Sequence, residues 1–72
     1  MQEIRAEITA NVWQVRAEVG TFIAEGDEIV ILESMKMEIP VVTEVPGTLY
    51  DLCVEEGGTV HEGDLIARIE ET

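Results

Sequence analysis

Apolar and polar residues alternate over short stretches of the chain, which is the pattern of β-strands. Ile4, Ala6 and Ile8 are separated by charged or polar neighbours, as expected for a strand with one buried face. No stretch carries a sustained helical period that begins at a capping residue. Four further segments are rich in β-branched, aromatic or other apolar residues: 12–17, 29–32, 49–54 and 65–69. The pattern therefore predicts an all-β protein.

The strand pattern occurs twice. Residues 3–33 match residues 40–70 at a constant offset of 37 without a gap, and eight of the 31 pairs are identical. The two Glu-Gly-Asp triplets fall into register, so we interpret the match as an internal repeat and not as a coincidence of a Glu- and Val-rich composition. Trp13 and its counterpart Tyr50 are amphipathic and are expected partly outside the core. The predicted core consists of positions that are apolar in both copies: Val12/Leu49, Val15/Leu52, Ala17/Val54, Ile23/Val60, Ile29/Ile66, Val30/Ala67 and Leu32/Ile69.

Turn residues separate these strands at short intervals. Residues 25–27 and 62–64 combine Gly, which tolerates positive φ, with Asp, which bonds to the local backbone, and Pro46-Gly47 predicts another turn. Short strands with frequent turns indicate a sandwich or flattened barrel, and closing two repeated halves on each other removes most free sheet edges. The repeat also predicts an approximate two-fold axis, with Lys36 at one pole and both termini at the other.

Composition narrows the possible functions. The 72 residues, taken as one domain over 1–72, carry 16 acidic and four basic side chains, for a net charge of −12. Such a surface repels phosphate, so we expect no nucleic-acid or anionic-membrane partner. The longest apolar run, 29–32, is far too short for a membrane span, and no secretory signal is visible, so we expect a cytoplasmic protein. One cysteine and one histidine cannot form a disulfide or a closed zinc site.

The single lysine, Lys36, lies in the segment Glu33-Ser34-Met35-Lys36-Met37-Glu38 that links the two copies. This segment must reverse direction, yet it contains none of the residues that favour a tight turn, and broken local rules tend to mark functional sites. Strand alternation would send Met35 and Met37 to one side and Lys36 to the other. From the residues alone, an ordinary solvated turn remains the alternative to an amine presented for modification.

The sequence Glu-Ser-Met-Lys-Met, midway between two matching β repeats, resembles the biotinyl-domain family, also called biotin carboxyl carriers. The resemblance covers residues 3–70 and includes both Glu-Gly-Asp turns and Pro46-Gly47-Thr48. Two departures are Thr9-Ala10-Asn11 in place of a Pro-Gly-type turn and Ser34 where Ala is commoner. The chain also has no room for the inserted thumb of some bacterial carriers, so it resembles the thumbless type.

The resemblance implies a flattened barrel of two four-stranded antiparallel sheets. It implies that biotin protein ligase joins biotin to Lys36 through an amide, with Met35 and Met37 as recognition flanks and Glu33, Ser34 and Glu38 as hairpin surroundings. In the family, biotin is carboxylated at a biotin carboxylase and carries the carboxyl group to a carboxyltransferase. The chain would then be a non-catalytic carrier without catalytic or metal-binding residues, monomeric on its own. The sequence does not identify the acceptor substrate.

Two other functions are compatible with the sequence. Lipoyl domains share the fold and a hairpin lysine but resemble one another in an Asp-Lys-Ala tip, whereas both flanks here are Met. An unmodified acidic β module that only binds other proteins is the second alternative. An enzyme is disfavoured because the sequence holds no Ser/His/Asp candidate set and no Gly-rich phosphate loop. We expect His61 to be a solvated turn residue and Cys53 a semi-exposed thiol.

Overall fold

The computed structural model describes all 72 residues, and its regular structure consists entirely of β-strands. No helix is long and apolar enough to cross a membrane. The eight strands are β1 (Gln2–Arg5), β2 (Ala10–Val15), β3 (Phe22–Ile23), β4 (Glu28–Ser34), β5 (Met37–Val42), β6 (Gly47–Leu52), β7 (Thr59–Val60) and β8 (Leu65–Glu71).

The strands form two four-stranded antiparallel sheets, which confirms the predicted fold class. One sheet has the order β5-β4-β2-β7 and is called the hairpin sheet below; the other has the order β1-β8-β6-β3 and is called the terminal sheet. The offset of 37 converts β2, β3 and β4 into β6, β7 and β8 residue for residue, and β1 into the last four residues of β5. It therefore converts one sheet order into the other, as the repeat predicts.

The turns repeat in the same detail. Gly26 and Gly63 have φ angles of 89° and 90°. The Asp27 carboxylate accepts a hydrogen bond from the Ala24 amide at 2.9 Å, and the Asp64 carboxylate accepts one from the His61 amide at 2.8 Å. Glycine is needed at these points because a Cβ atom disfavours positive φ, and the short Asp side chain satisfies an amide that has left the ladder.

The core lies between the sheets and agrees with the predicted set. Of the seven predicted pairs, five are buried, and the other two, Val15/Leu52 and Ala17/Val54, pack partly buried against them. The sequence comparison missed Ala6, Ala10 and Thr43, because their partners in the other copy are not all apolar. The Thr43 hydroxyl is buried and donates a hydrogen bond to the Val45 carbonyl at 2.6 Å, which satisfies it.

Trp13 and Tyr50 occupy equivalent β-bulges. The pairing of β2 with β4 passes from Val12 directly to Gln14, and that of β6 with β8 passes from Leu49 directly to Asp51. Each aromatic residue is therefore the extra residue of its strand, and their exposed fractions of 44% and 54% confirm that they lie partly outside the core. A bulge turns the side chains that follow it, which lets each strand keep its apolar residues inward as the sheet twists.

The prediction of a turn at Pro46-Gly47 was wrong by about two residues. The chain bends at Glu44 and Val45, and Gly47 is the buried first residue of β6. The glycine is required for space: a Cβ atom here would overlap the Glu70 carbonyl oxygen and lie 2.9 Å from the carbonyl carbon. Gly47 therefore permits the close approach of β6 to β8.

Candidate lysine hairpin

A two-residue turn connects β4 to β5 and carries Lys36. Ser34 and Met37 lie opposite each other in the ladder, so Met35 and Lys36 are the two central residues. Their φ angles are 53° and 66°, and they are the non-glycine residues with positive φ in this chain. Two successive positive φ angles are the signature of the type I′ turn, whose twist matches that of the flanking strands. The tight reversal explains how the hairpin closes without an extra loop residue.

The turn keeps two side chains where glycine or asparagine is usual. A left-handed conformation costs a non-glycine residue about 1–2 kcal/mol, and such strain persists only where the surrounding structure over-determines it. Here β4 and β5 pair from Ser34/Met37 back to Glu28/Val42, which holds the tip in place. The strain is an observed departure from the usual turn chemistry, and it falls on the segment that the sequence singled out.

Lys36 is exposed, and among the lysine and arginine side chains it alone has no carboxylate within ion-pair distance. Glu3 lies 2.9 Å from Arg5 and 3.6 Å from Arg68, and Glu28 lies 3.9 Å from Arg16. Each arginine is thus associated with a carboxylate, and Arg5 and Arg68 share that of Glu3. The amine of Lys36 projects from the hairpin without an internal contact that would have to break before it reacts.

The residues around Lys36 divide into an apolar tip and an acidic base. Met35 and Met37 are 92% and 65% exposed, although the exposure of apolar side chains to water is unfavourable. Glu33 and Glu38 face each other across the ladder, and Ser34 is half-buried. The prediction that strand alternation sends Met35 and Met37 to one side and Lys36 to the other was made on a wrong basis. Met35 and Lys36 belong to the turn, and only Met37 belongs to a strand.

A shallow groove beside the hairpin includes residues that the sequence did not assign to the site. Thr9, Ala10, Asn11 and Thr59 line it together with the hairpin, and Thr59 donates a hydrogen bond to the Asn11 side chain at 3.1 Å. The segment Thr9-Ala10-Asn11, noted above as a departure from the usual turn, therefore lies next to Lys36. The repeat offered a signal that could have pointed to this segment, because residues 9–11 differ at every position from their counterparts 46–48.

The other chemically distinctive residues lie away from the hairpin. His61 is exposed, with Nδ1 3.6 Å from Asp64, in the turn where the sequence placed it. Cys53 is an exposed free thiol. Partial desolvation raises its pKa, and the neighbouring Asp51 carboxylate adds to the rise by repelling the thiolate and accepting a hydrogen bond from the thiol. No group of three His, Cys, Asp or Glu side chains is arranged to hold a metal ion.

Comparison with known proteins agrees with this geometry. Residues 3–69 match the family described as "Biotin-requiring enzyme". The chain belongs to the biotin/lipoyl attachment family. A biotinylated protein TB7.3 homolog of Mycobacterium leprae is 47% identical over 68 residues, which cover 94% of this chain and 96% of that protein.

Solved structures that share this fold include a carboxylase and a lipoyl domain. The urea carboxylase of Kluyveromyces lactis matches with a TM-score of 0.89 and 33% identity, covering 96% of this chain and 6% of the enzyme. A lipoyl domain of the 2-oxoglutarate dehydrogenase complex of Azotobacter vinelandii matches with a TM-score of 0.82 and 24% identity, covering 96% and 95%. The second likeness shows the fold alone. The chain is thus a biotin/lipoyl attachment domain, similar to a small part of a urea carboxylase.

Proposed function

We propose that Lys36 is the residue to which biotin protein ligase attaches biotin. The observation that carries the proposal is the tip itself: the one lysine of the chain stands exposed on a strained two-residue turn between two exposed methionines. An enzyme that acylates an amine finds no other lysine on this chain. The flexible, polarizable methionine side chains suit recognition by a partner protein on either side of the amine.

The modification is an acyl transfer. The ammonium of Lys36 first gives a proton to a base of the ligase, since only the neutral amine is a nucleophile. Nζ then attacks the activated carboxyl carbon of biotin, the activating group leaves with the electrons of the bond that breaks, and the nitrogen loses a second proton to give the neutral amide. This chain contributes the nucleophile and its position, because the hairpin holds Lys36 at a fixed place relative to the sheets.

The attached domain would serve as a carrier between two partners, a biotin carboxylase and a carboxyltransferase. Biotin supplies a ureido ring that takes up and gives back a carboxyl group. The protein supplies tethering, which makes each delivery effectively intramolecular and replaces free diffusion of the cofactor. The similarity to urea carboxylase and to a biotinylated protein supports this role, and we assign no catalytic residue to the chain itself.

Lipoylation is the second candidate, because a lipoyl domain shares the fold. The flanks argue for biotin: Met35 and Met37 stand where lipoyl domains resemble one another in Asp and Ala. An unmodified acidic binding module is the third. It accounts for the net charge of −12 but leaves the strained lysine tip without a reason.

The test is co-expression with biotin protein ligase, followed by intact mass measurement and avidin blotting. We expect one biotin per wild-type chain and none on Lys36→Arg, which keeps the charge but cannot form the amide. A lipoyl mass increment on Lys36 would establish the second candidate. An unmodified wild-type chain, with a known carrier modified in the same cells, would overturn the proposal.

A further inference from the structure

The outer faces of the two sheets differ although the sheets are related by the repeat. On the terminal sheet, the outer face presents three charged residues: Glu3 on β1, Arg5 on β1 and Arg68 on β8. Their counterparts on the hairpin sheet are Pro40, Val42 and Ile31. The same backbone positions are therefore charged on one sheet and apolar on the sheet that carries Lys36.

The charged residues on this face of the terminal sheet pair with one another. Arg5 donates a hydrogen bond to the Glu3 carboxylate at 2.9 Å, and Arg68 lies 3.6 Å from the other oxygen of that carboxylate. Glu3 and Arg68 are also direct cross-strand partners, which favours opposite charges. Because these three side chains already pair with one another, they are less available to a partner.

The corresponding face of the hairpin sheet forms an apolar patch, which we define as Trp13, Ile31, Pro40 and Val42. Ile31 lies between Val30 and Leu32, which belong to the central cluster, so alternation directs Ile31 outward. In the ladder it is opposite Pro40 on β5 and Gln14 on β2, which directly follows the Trp13 bulge, and it is only 8% exposed. Trp13 and Val42 are 44% and 40% exposed. These side chains are adjacent in the sheet rather than scattered singly over the surface.

The margin of the apolar patch is acidic. Glu33 and Glu38 border it on the side toward Lys36 and take part in no ion pair, whereas Glu28, on the far side, lies 3.9 Å from Arg16. An apolar centre with unpaired carboxylates on the side toward Lys36 is complementary to a protein surface with an apolar centre and a basic margin on that side. A second copy of this chain is a poor occupant, because two molecules of charge −12 would bring like margins together.

Distance connects this patch to the lysine tip. Pro40 is three residues from Met37 along β5, or about 10 Å at the rise of a strand. A protein interface of ordinary size covers about 800 Å² on each partner, so a protein that grips the tip also reaches the patch. We propose that biotin protein ligase docks on the apolar patch while it acts on Lys36. This docking rests on the proposed function.

Ligase kinetics on matched variants test the docking. Trp13→Thr and Tyr50→Thr change equivalent bulge residues, one on each sheet, and Val42→Arg and Arg5→Val exchange equivalent outer residues. We expect KM for the carrier to rise about tenfold for Trp13→Thr and Val42→Arg. For Tyr50→Thr and Arg5→Val we expect KM to change less than twofold. The value of kcat should stay within twofold for all four variants. Equal KM values for the paired variants would overturn the docking while leaving the biotinylation of Lys36 intact.

A second measurement uses the unaltered chain and so does not depend on how the variants fold. In a ¹⁵N-labelled carrier titrated with unlabelled ligase, we expect the Trp13 indole resonance and the Ile31 backbone amide resonance to shift. The backbone amide resonances of Tyr50 and Arg68 should stay in place. Shifts confined to the tip would overturn the proposal. Shifts of the Trp13 resonance that depend on carrier concentration in the absence of ligase would also overturn it, because they would indicate self-association. Shifts with biotin carboxylase but not with ligase would assign the patch to a different partner. A wild-type chain that ligase does not modify would refute the proposed function and this docking together.

Discussion

The lysine hairpin and the glycine turns of the repeats reverse the chain with similar left-handed backbones but different residues. Gly20, Gly26, Gly57 and Gly63 have φ angles between 87° and 93°, and each occurs at the same place in both halves. Met35 and Lys36 also have positive φ, yet both keep long side chains. The repeat offers no counterpart for this turn, since the equivalent position lies between the two chain ends.

The difference separates two reasons for a left-handed residue. At the glycine turns the backbone conformation is needed and a side chain is not, so the residue with the least strain occupies the position. At the tip the side chains are needed, and the flanking ladder of β4 and β5 holds them there at a cost in stability. Under the proposed function, the strained turn is what presents Lys36 as a rigid, isolated amine.

The largest effect on stability is expected at Gly47, which is needed for space and not for a left-handed backbone. In Gly47→Ala the new Cβ atom would overlap the backbone of Glu70, so β6 and β8 must move apart. We expect the free energy of unfolding to fall by about 3 kcal/mol, measured by urea denaturation. The matched variant is Ala10→Gly at the equivalent position of the first half, which removes a side chain without a clash and should cost less than half as much. Similar losses in both variants would show that crowding is not the reason for Gly47.

A smaller and equal effect is expected at the two Glu-Gly-Asp turns. A Cβ atom at Gly26 or Gly63 would meet no other atom within 4 Å, so only the positive φ opposes it. We expect Gly26→Ala and Gly63→Ala each to lower the free energy of unfolding by about 1–2 kcal/mol, and the double variant to lose the sum, because the turns are separate. Unequal single losses would show that the two halves do not share the same turn energetics.

The sequence predicted the parts of this molecule that the repeat carries twice. The apolar pairs and the Glu-Gly-Asp turns recur at one offset, so each half corroborates the other, and the structure follows that register strand by strand. The turn type at Met35-Lys36 was not predictable, because nothing in its residues favours positive φ. The outward position of Ile31 was hidden within the apolar run 29–32. A bulge at Ile29 sends Val30 and Leu32 inward and Ile31 outward, and a bulge has no reliable signature in a single sequence.

Replacing the tip by a favourable turn tests whether the hairpin is strained for function. The double variant Met35→Asn/Lys36→Gly supplies the residues that type I′ turns prefer. We expect its free energy of unfolding to rise by about 1 kcal/mol while biotinylation is lost. Lys36→Arg is the control, because it loses the modification but keeps the left-handed non-glycine residue and so should not gain stability. If the double variant is no more stable than the wild type, the lysine tip carries no strain relative to an ideal turn.

The smallest effect concerns Cys53, whose counterpart in the first half is Arg16. Partial desolvation and the nearby Asp51 carboxylate, with Sγ 3.7 Å from Oδ2, raise the pKa of the thiol in the folded chain. Because the thiolate is the reactive form, alkylation by iodoacetamide at pH 8 should be about two- to fivefold slower in the native chain than in urea. A raised pKa for an acid also means that its contribution to stability is present below the unfolded pKa and is lost as pH rises through the folded value. Asp51→Asn should move the native pH–rate curve toward that of the unfolded chain, whereas identical curves for native and unfolded wild type would contradict the assigned cause.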